Sequence, residues 1–321
     1  MASIKNDSNM KLFIVATRLH NRGGFTNMIL KKTKIWLALL LSFLLILPMQ
    51  ALADSQPGDV IVTLGENLTA DQRAQLLKEM GVDESVEIVT VSNAEEHEYL
   101  GQYISARIIG TKALSSSKIT LGKKNSGLVV KTHNIDWVTE EMYINALATA
   151  GVKDAEIYVT APFSVSGTAG LTGIIKAYEI TADETIPEEV KQAANEEMVT
   201  TAKLSDDIGT DEASALITKI KEEMSKNPPE TEADLRALIE RVAKELGIEL
   251  TDAQLQSLVD LFNKLKDLNI DWNAVGTQLQ EAKDKLSNYL SSEEGQNFLD
   301  KLKSFFVSLI DAIKSFFSSN E

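Results

Sequence analysis

The chain has 321 residues, no cysteine, 32 basic and 47 acidic residues, and a formal charge of −15. Without thiols it has neither disulfide staples nor thiolate metal sites, so stability has to come from buried apolar area. An acidic excess of this size is repelled by nucleic-acid phosphates and bare anionic surfaces, which sets nucleic-acid binding aside.

The first 53 residues carry the pattern of an export signal. Lys31, Lys32 and Lys34 form a basic cluster, the apolar run Ile35–Leu47 follows, and Pro48 and the small-x-small motif Ala51-Leu52-Ala53 close it ahead of Asp54. That order is what a signal peptidase reads, with Ala51 and Ala53 as the cleavage residues. The apolar run is 13 residues, against about 20 for a bilayer-spanning helix, so no transmembrane segment is expected in the mature chain. Residues 1–27 precede this pattern and show none of their own; they are read as an extension ahead of a working start at Met28, with 28–53 as the signal peptide. Residues 1–53 hold seven of the basic residues and one of the acidic ones, so the remainder carries 25 basic and 46 acidic residues, a formal charge of −21. A secreted or envelope-associated protein is expected.

From Asp54 the chain alternates strand-like and helix-like segments. Val60–Leu64 is β-branched and apolar, and Thr69 with Gln72 three residues on is a capping box that starts a helix running to Met80 and ending at Gly81. Val86–Val91 reads as the next strand, and Asn93 with Glu96 repeats the capping signal. Ser117–Leu121 and Leu128–Thr132 flank the turn-rich stretch Gly122–Gly127, which predicts a hairpin. Thr139 then caps a helix that ends at Gly151, Ala155–Thr160 reads as a strand, and a helix covers about 167–179. Two βαβα halves with a hairpin between them describe this region economically. The fold class is α+β, with an α+β domain over 54–186.

After Pro187 strand signals vanish and helix caps recur, at Thr210, at Thr231 with Asp234, at Thr251 with Gln254, and at Asp271. Pro228-Pro229 and Gly247 mark breaks. A helical domain is expected over 187–321, ending in an amphipathic helix at 293–318. Its apolar stripe is Phe298, Leu302, Phe305, Phe306, Leu309, Ile313, Phe316 and Phe317, with Lys301, Lys303 and Lys314 opposite. Such a face lies on a membrane surface, fills a partner's groove, or covers the protein's own helices.

No catalytic residue, metal ligand or cofactor site is assigned. The mature chain has two histidines, His97 and His133, without the spacing of a zinc site. Serines are frequent, but no G-x-S-x-G elbow fixes a nucleophile. The most suggestive local stretch is Pro162–Gly173, which leaves a strand and opens a helix. Small residues there, Ser164, Ser166, Gly167 and Thr168, suit an ordinary capped turn with close helix-sheet packing, and also an anion or other ligand at a helix N-terminus.

The strings Gly58–Gly65, Glu95–Gly101, Lys131–Ile135 and Ala161–Tyr178 resemble the YpuA-like family of exported proteins from Gram-positive bacteria. The resemblance covers nearly all of the mature chain and implies a compartment and a shared fold. It implies no reaction, since the family is of unknown function. The sequence therefore points to an exported, non-enzymatic protein that binds a cell-wall component, a membrane surface or another exported protein. A wall-directed hydrolase or transferase using the 164–172 loop with His97 or His133, and a secreted stress or developmental factor, are the alternatives.

Overall fold

The computed structural model describes residues 56–182, 184–268, 270–280 and 282–284. The export signal with Ala51 and Ala53, and the terminal stripe from Phe298 to Phe317, lie outside the described residues.

The β-branched runs become the five strands β1 (Val60–Gly65), β2 (Glu87–Val91), β3 (Ser116–Leu121), β4 (Leu128–Ile135) and β5 (Ala155–Val165). They form one mixed sheet in the order β2-β1-β3-β5-β4. The pairs β1/β2 and β4/β5 are parallel, and β3 runs antiparallel to both β1 and β5. The α+β class is as the sequence indicates, but the expected hairpin does not form. β5 is inserted between β3 and β4, and Asp154 at its entry, with φ +50°, organises the 122–127 turn around itself. The Gly122 amide donates to the Asp154 carbonyl at 2.6 Å and the Gly127 amide to the Asp154 carboxylate at 3.0 Å.

Alternation along the strands sends side chains to two faces. Ile61, Ile119, Val130, Ile157 and Val159 face the main core, where α4 (Glu140–Ala150) and α5 (Thr168–Ala182) pack. Val62 and Leu64 face the other way, onto Leu77 of α1 (Ala70–Glu79) and Met80 at its C-terminal cap. The two βαβ units thus place their helices on opposite faces of the sheet. At the outer strand β4, the Thr132 amide donates to the Glu140 carboxylate at 3.1 Å, and Lys131 lies 3.4 Å from the same group.

Between β2 and β3 lie α2 (Asn93–Leu100) and the short α3 (Ala106–Ile109). After β5, among the described residues, all regular structure is helical: α6 (Glu188–Ile208), α7 (Thr210–Lys226), α8 (Glu232–Glu245), α9 (Asp252–Asp267) and α10 (Trp272–Gln278). A second core forms from α7, α8 and α9 through Leu216, Ile220, Leu235, Ile239, Leu258 and Phe262. Met198 and Val199 of α6, and Val275 of α10, belong instead to the sheet's core. Where α4, α6 and α7 meet, Lys221 and Glu197 are both fully buried and 2.8 Å apart. The Lys221 ammonium also donates to the Asn145 carbonyl at 2.5 Å and the Thr149 hydroxyl at 2.7 Å, and that hydroxyl donates to the second Glu197 oxygen. Burial pushes the Lys221 ammonium's pKa down, and Glu197 opposes the shift. No helix among the described residues is long and apolar enough to cross a membrane.

Candidate functional site

A cleft of about 360 Å³ opens where the end of β5, the start of α5 and the segment after α3 converge. Its geometry begins with the cap of α2. The sequence suggests Asn93 as cap, with Glu96 closing the box; the structure moves the cap back one residue. Ser92 takes the Glu95 amide at 3.2 Å, and the Glu95 carboxylate takes the Ser92 amide at 2.7 Å. Ser92 outcompetes Asn93 because its partner Glu95 is also held at 2.6 Å by Lys176 of α5. One residue along a helix is about 100° of rotation, and it turns Glu96 inward. Glu96 is 1% exposed and forms part of the cleft wall.

Burial raises the Glu96 carboxyl to about 8, against smaller downward pulls from hydrogen bonds with Asn93 and Thr168. At neutral pH it is therefore predominantly a neutral acid, able to donate as well as accept. Beside it, the loop leaving β5 is pinned by two backbone bonds: the Asp136 amide to the Val165 carbonyl at 3.0 Å and the Val138 amide to the Ser166 carbonyl at 3.1 Å. Gly167 has φ +91°, and a Cβ there would sit 2.5 Å from Ile135 Cγ2 and 2.6 Å from the Tyr143 hydroxyl, so glycine is required. The buried Tyr143 hydroxyl donates to the Gly167 carbonyl at 2.5 Å. Burial, with Glu96 adding to it, keeps that phenol far above its ordinary acidity range.

Of the residues the sequence singles out, Ser166, Gly167 and Thr168 line the cleft together with Glu96. Ser164 lies apart and donates to the Asp136 carboxylate at 2.7 Å. His97 reaches the rim, its Nε2 donating to the Gly110 carbonyl at 3.0 Å. His133 is on another surface, its Nδ1 3.1 Å from the Glu79 carboxylate. Glu79 also accepts from the Tyr158 and Thr160 hydroxyls at 2.8 and 2.7 Å. Burial alone would raise Glu79; these three hydrogen bonds outweigh it and hold the carboxyl below its ordinary range. No hydrogen bond among the described residues joins either histidine to a hydroxyl of the loop. Groups of three or more metal-ligating side chains are likewise absent among the described residues.

The sequence reading missed the mouth of the cleft. Ile108 on α3 and Phe163 near the end of β5 line it and are 39% and 51% exposed. Apart from Ile180, they are the large apolar side chains left exposed among the described residues. The hint lay in Phe163 itself, an aromatic beside Ser164 in an otherwise small and polar stretch.

A family model described as "Protein of unknown function (DUF1002)" matches residues 64–282. The chain belongs to this family. It is also 54% identical over 287 residues to "Uncharacterized protein YpuA" of Bacillus subtilis (strain 168), an alignment that covers 88% of this chain and 99% of that protein. No solved structure matches. The DUF1002 match starts in β1 and ends beyond α10, so the Glu96 cleft lies wholly inside the family's region.

Proposed function

We propose that this DUF1002 protein is an exported, non-enzymatic binding protein of the cell envelope, and that the Glu96 cleft receives an apolar-anchored segment of another exported protein. The observation that carries this reading is the pairing of Phe163 and Ile108 at the cleft mouth. Large apolar side chains left in water at the rim of a concave site mark contact surfaces, and aromatic residues dominate binding energy where they are covered. The floor below them, with neutral Glu96 and the Ser166 and Thr168 hydroxyls, suits the uncharged amide groups of a peptide backbone. Acidity supports the same choice of partner, since a chain of this charge is repelled by anionic polymers. The leader-like segment before Asp54 supports the compartment.

The test uses residues 54–321 as bait against envelope-fraction proteins, followed by binding measurements on whatever is captured. Phe163→Ala and Ile108→Ser are expected to weaken capture by about tenfold or more each, on the scale of an interface anchor. Capture that is unaffected by both changes would remove the cleft from the reading. One observation favours a second reading, a wall-directed hydrolase: a buried carboxyl in a cleft that stays protonated at neutral pH is a feature of general acids. Glu96→Gln separates the two, because it preserves a neutral hydrogen-bonding group for docking and abolishes proton transfer. Retained capture supports binding, whereas loss of a wall-degrading activity in this variant supports catalysis.

A further inference from the structure

The wall of the Glu96 cleft is one-sided in charge. Of the described residues that line it, two carry side chains that ionise, Glu96 and Lys112. Glu96 is buried and predominantly protonated at neutral pH, so Lys112 is the charge that a ligand meets. Lys112 stands in the segment between α3 and β3, is exposed, and forms no ion pair among the described residues. Arg107, next to Ile108 on α3, is exposed in the same way. The sequence sets this stretch apart: from Tyr99 to Ile135 there is no Asp or Glu and there are six Lys and Arg residues, in a chain whose formal charge is −15. The positive mouth is therefore not cancelled by its own segment. Asp136 and Glu66, on adjoining elements, are absent from the wall and already accept from the Ser164 hydroxyl at 2.7 Å and the Asn93 amide at 3.1 Å.

Ile108 and Phe163 supply apolar contact at the mouth, and apolar contact alone does not choose a partner. Charge does: complementary charges at the rim of an interface set which segment docks and how fast, and a like charge placed opposite Lys112 is penalised. The acidity of the whole chain does not reverse this, because salt screens exposed charges beyond about 8 Å at physiological ionic strength. A side-chain carboxylate beside the apolar anchor stays partly hydrated as it meets an exposed ammonium. It thereby avoids the desolvation cost that a chain terminus buried on the cleft floor would carry.

From Lys112 beside Ile108 and Phe163 we infer that the segment received by the cleft is acidic, with an Asp or Glu side chain flanking its apolar anchor and paired to Lys112. The inference rests on the reading of the cleft as a peptide site and adds the charge of its partner. Three acetylated and amidated peptides, Glu-Phe-Leu-Glu, Gln-Phe-Leu-Gln and Lys-Phe-Leu-Lys, titrated into residues 54–321 and followed by amide NMR, test it. The acidic probe is expected to bind about threefold tighter than the glutamine probe, on the scale of an exposed ion pair. The lysine probe is expected to bind most weakly, and the shifts to fall on residues 108–115 and 163–168. Lys112→Glu changes an exposed side chain, leaves the core untouched, and is expected to reverse the order of the probes. Equal binding of all three, lost in Phe163→Ala, overturns the inference and leaves the cleft as a peptide site. No saturable binding by any probe overturns the inference, and overturns the cleft reading as well if capture of envelope proteins ignores Phe163→Ala. A preference for Phe-Leu-Gln with a free carboxyl end over the acidic amide overturns the assignment to a side chain. Phosphatidylglycerol vesicles that bind through Lys112 while no peptide does would assign the surface to a membrane instead.

Discussion

Burial keeps Glu96 protonated well above the pH at which an exposed glutamate ionises, and this links the cleft to stability. The unfolded chain releases the proton near 4.5 and the folded chain near 8. Below about 4.5 both states hold the proton and the stabilisation is complete; as pH rises from there to about 8 the folded state is progressively penalised. Urea titrations at pH 5, 7 and 9 should therefore show the unaltered protein losing a few kcal/mol relative to Glu96→Gln, which cannot ionise. Glu79, Glu95, Glu222 and Glu223 act in the opposite sense: their lowered values stabilise above about 4.5, and that stabilisation is lost as pH falls further. At the seam of α4, α6 and α7, Lys221→Met alone leaves the Glu197 carboxylate buried without its cation. It is expected to cost about 3–5 kcal/mol, whereas Lys221→Met with Glu197→Leu should recover most of that loss. Denaturant midpoints of the three proteins check this; equal losses would mean that the pair's charge is not what matters.

Element boundaries were legible wherever a side chain signals to a backbone three residues away. Thr69, Thr139, Thr231 and Thr251 each accept the expected amide in the structure, and Gly81 and Gly151 take the positive φ that ends a helix. Ser92 and Asn93 show the limit of that signal. Both are followed three residues later by a glutamate, so local spacing cannot choose between them, and the choice made by the distant Lys176 decides whether Glu96 caps a helix or enters a cleft. Ser92→Ala is accordingly expected to cost about 1 kcal/mol in thermal or denaturant unfolding. A loss at Asn93→Ala larger than that at Ser92→Ala would contradict the cap assignment. Helix α7 shows the same limit, since Gly209 stands at its cap and the expected Thr210 is already its first residue. Strand pairing was not legible from local signals. The turn residues between β3 and β4 are real, but they bend the chain around Asp154 and β5, which arrives from beyond a whole helix. In the candidate site, Ser166 to Thr168 could be read from small residues at a helix start, whereas Glu96 could not, because its burial depends on contacts from α5 and the segment after α3.

At the scale of the whole molecule, the described residues between 56 and 284 belong to one unit. The change from strands to helices near Pro187 is plain in the sequence, yet the sheet's core takes side chains from α6 and α10, and the Lys221 network joins α4 to α7. Shared burial of this kind couples the unfolding of the parts that share it. Calorimetry on residues 54–321 should therefore show a single transition with a calorimetric to van't Hoff enthalpy ratio near one. Two resolved transitions would mean that α7, α8 and α9 melt independently of the sheet. The outer strand β4 matters at this scale too. An open sheet presents a row of unsatisfied amides along which a second copy can zip. Here one of those amides, at Thr132, is already occupied by Glu140, with the Lys131 charge beside it. A single carboxylate reaching back from the following helix thus works as a stopper, interrupting the template for chain-to-chain polymerisation.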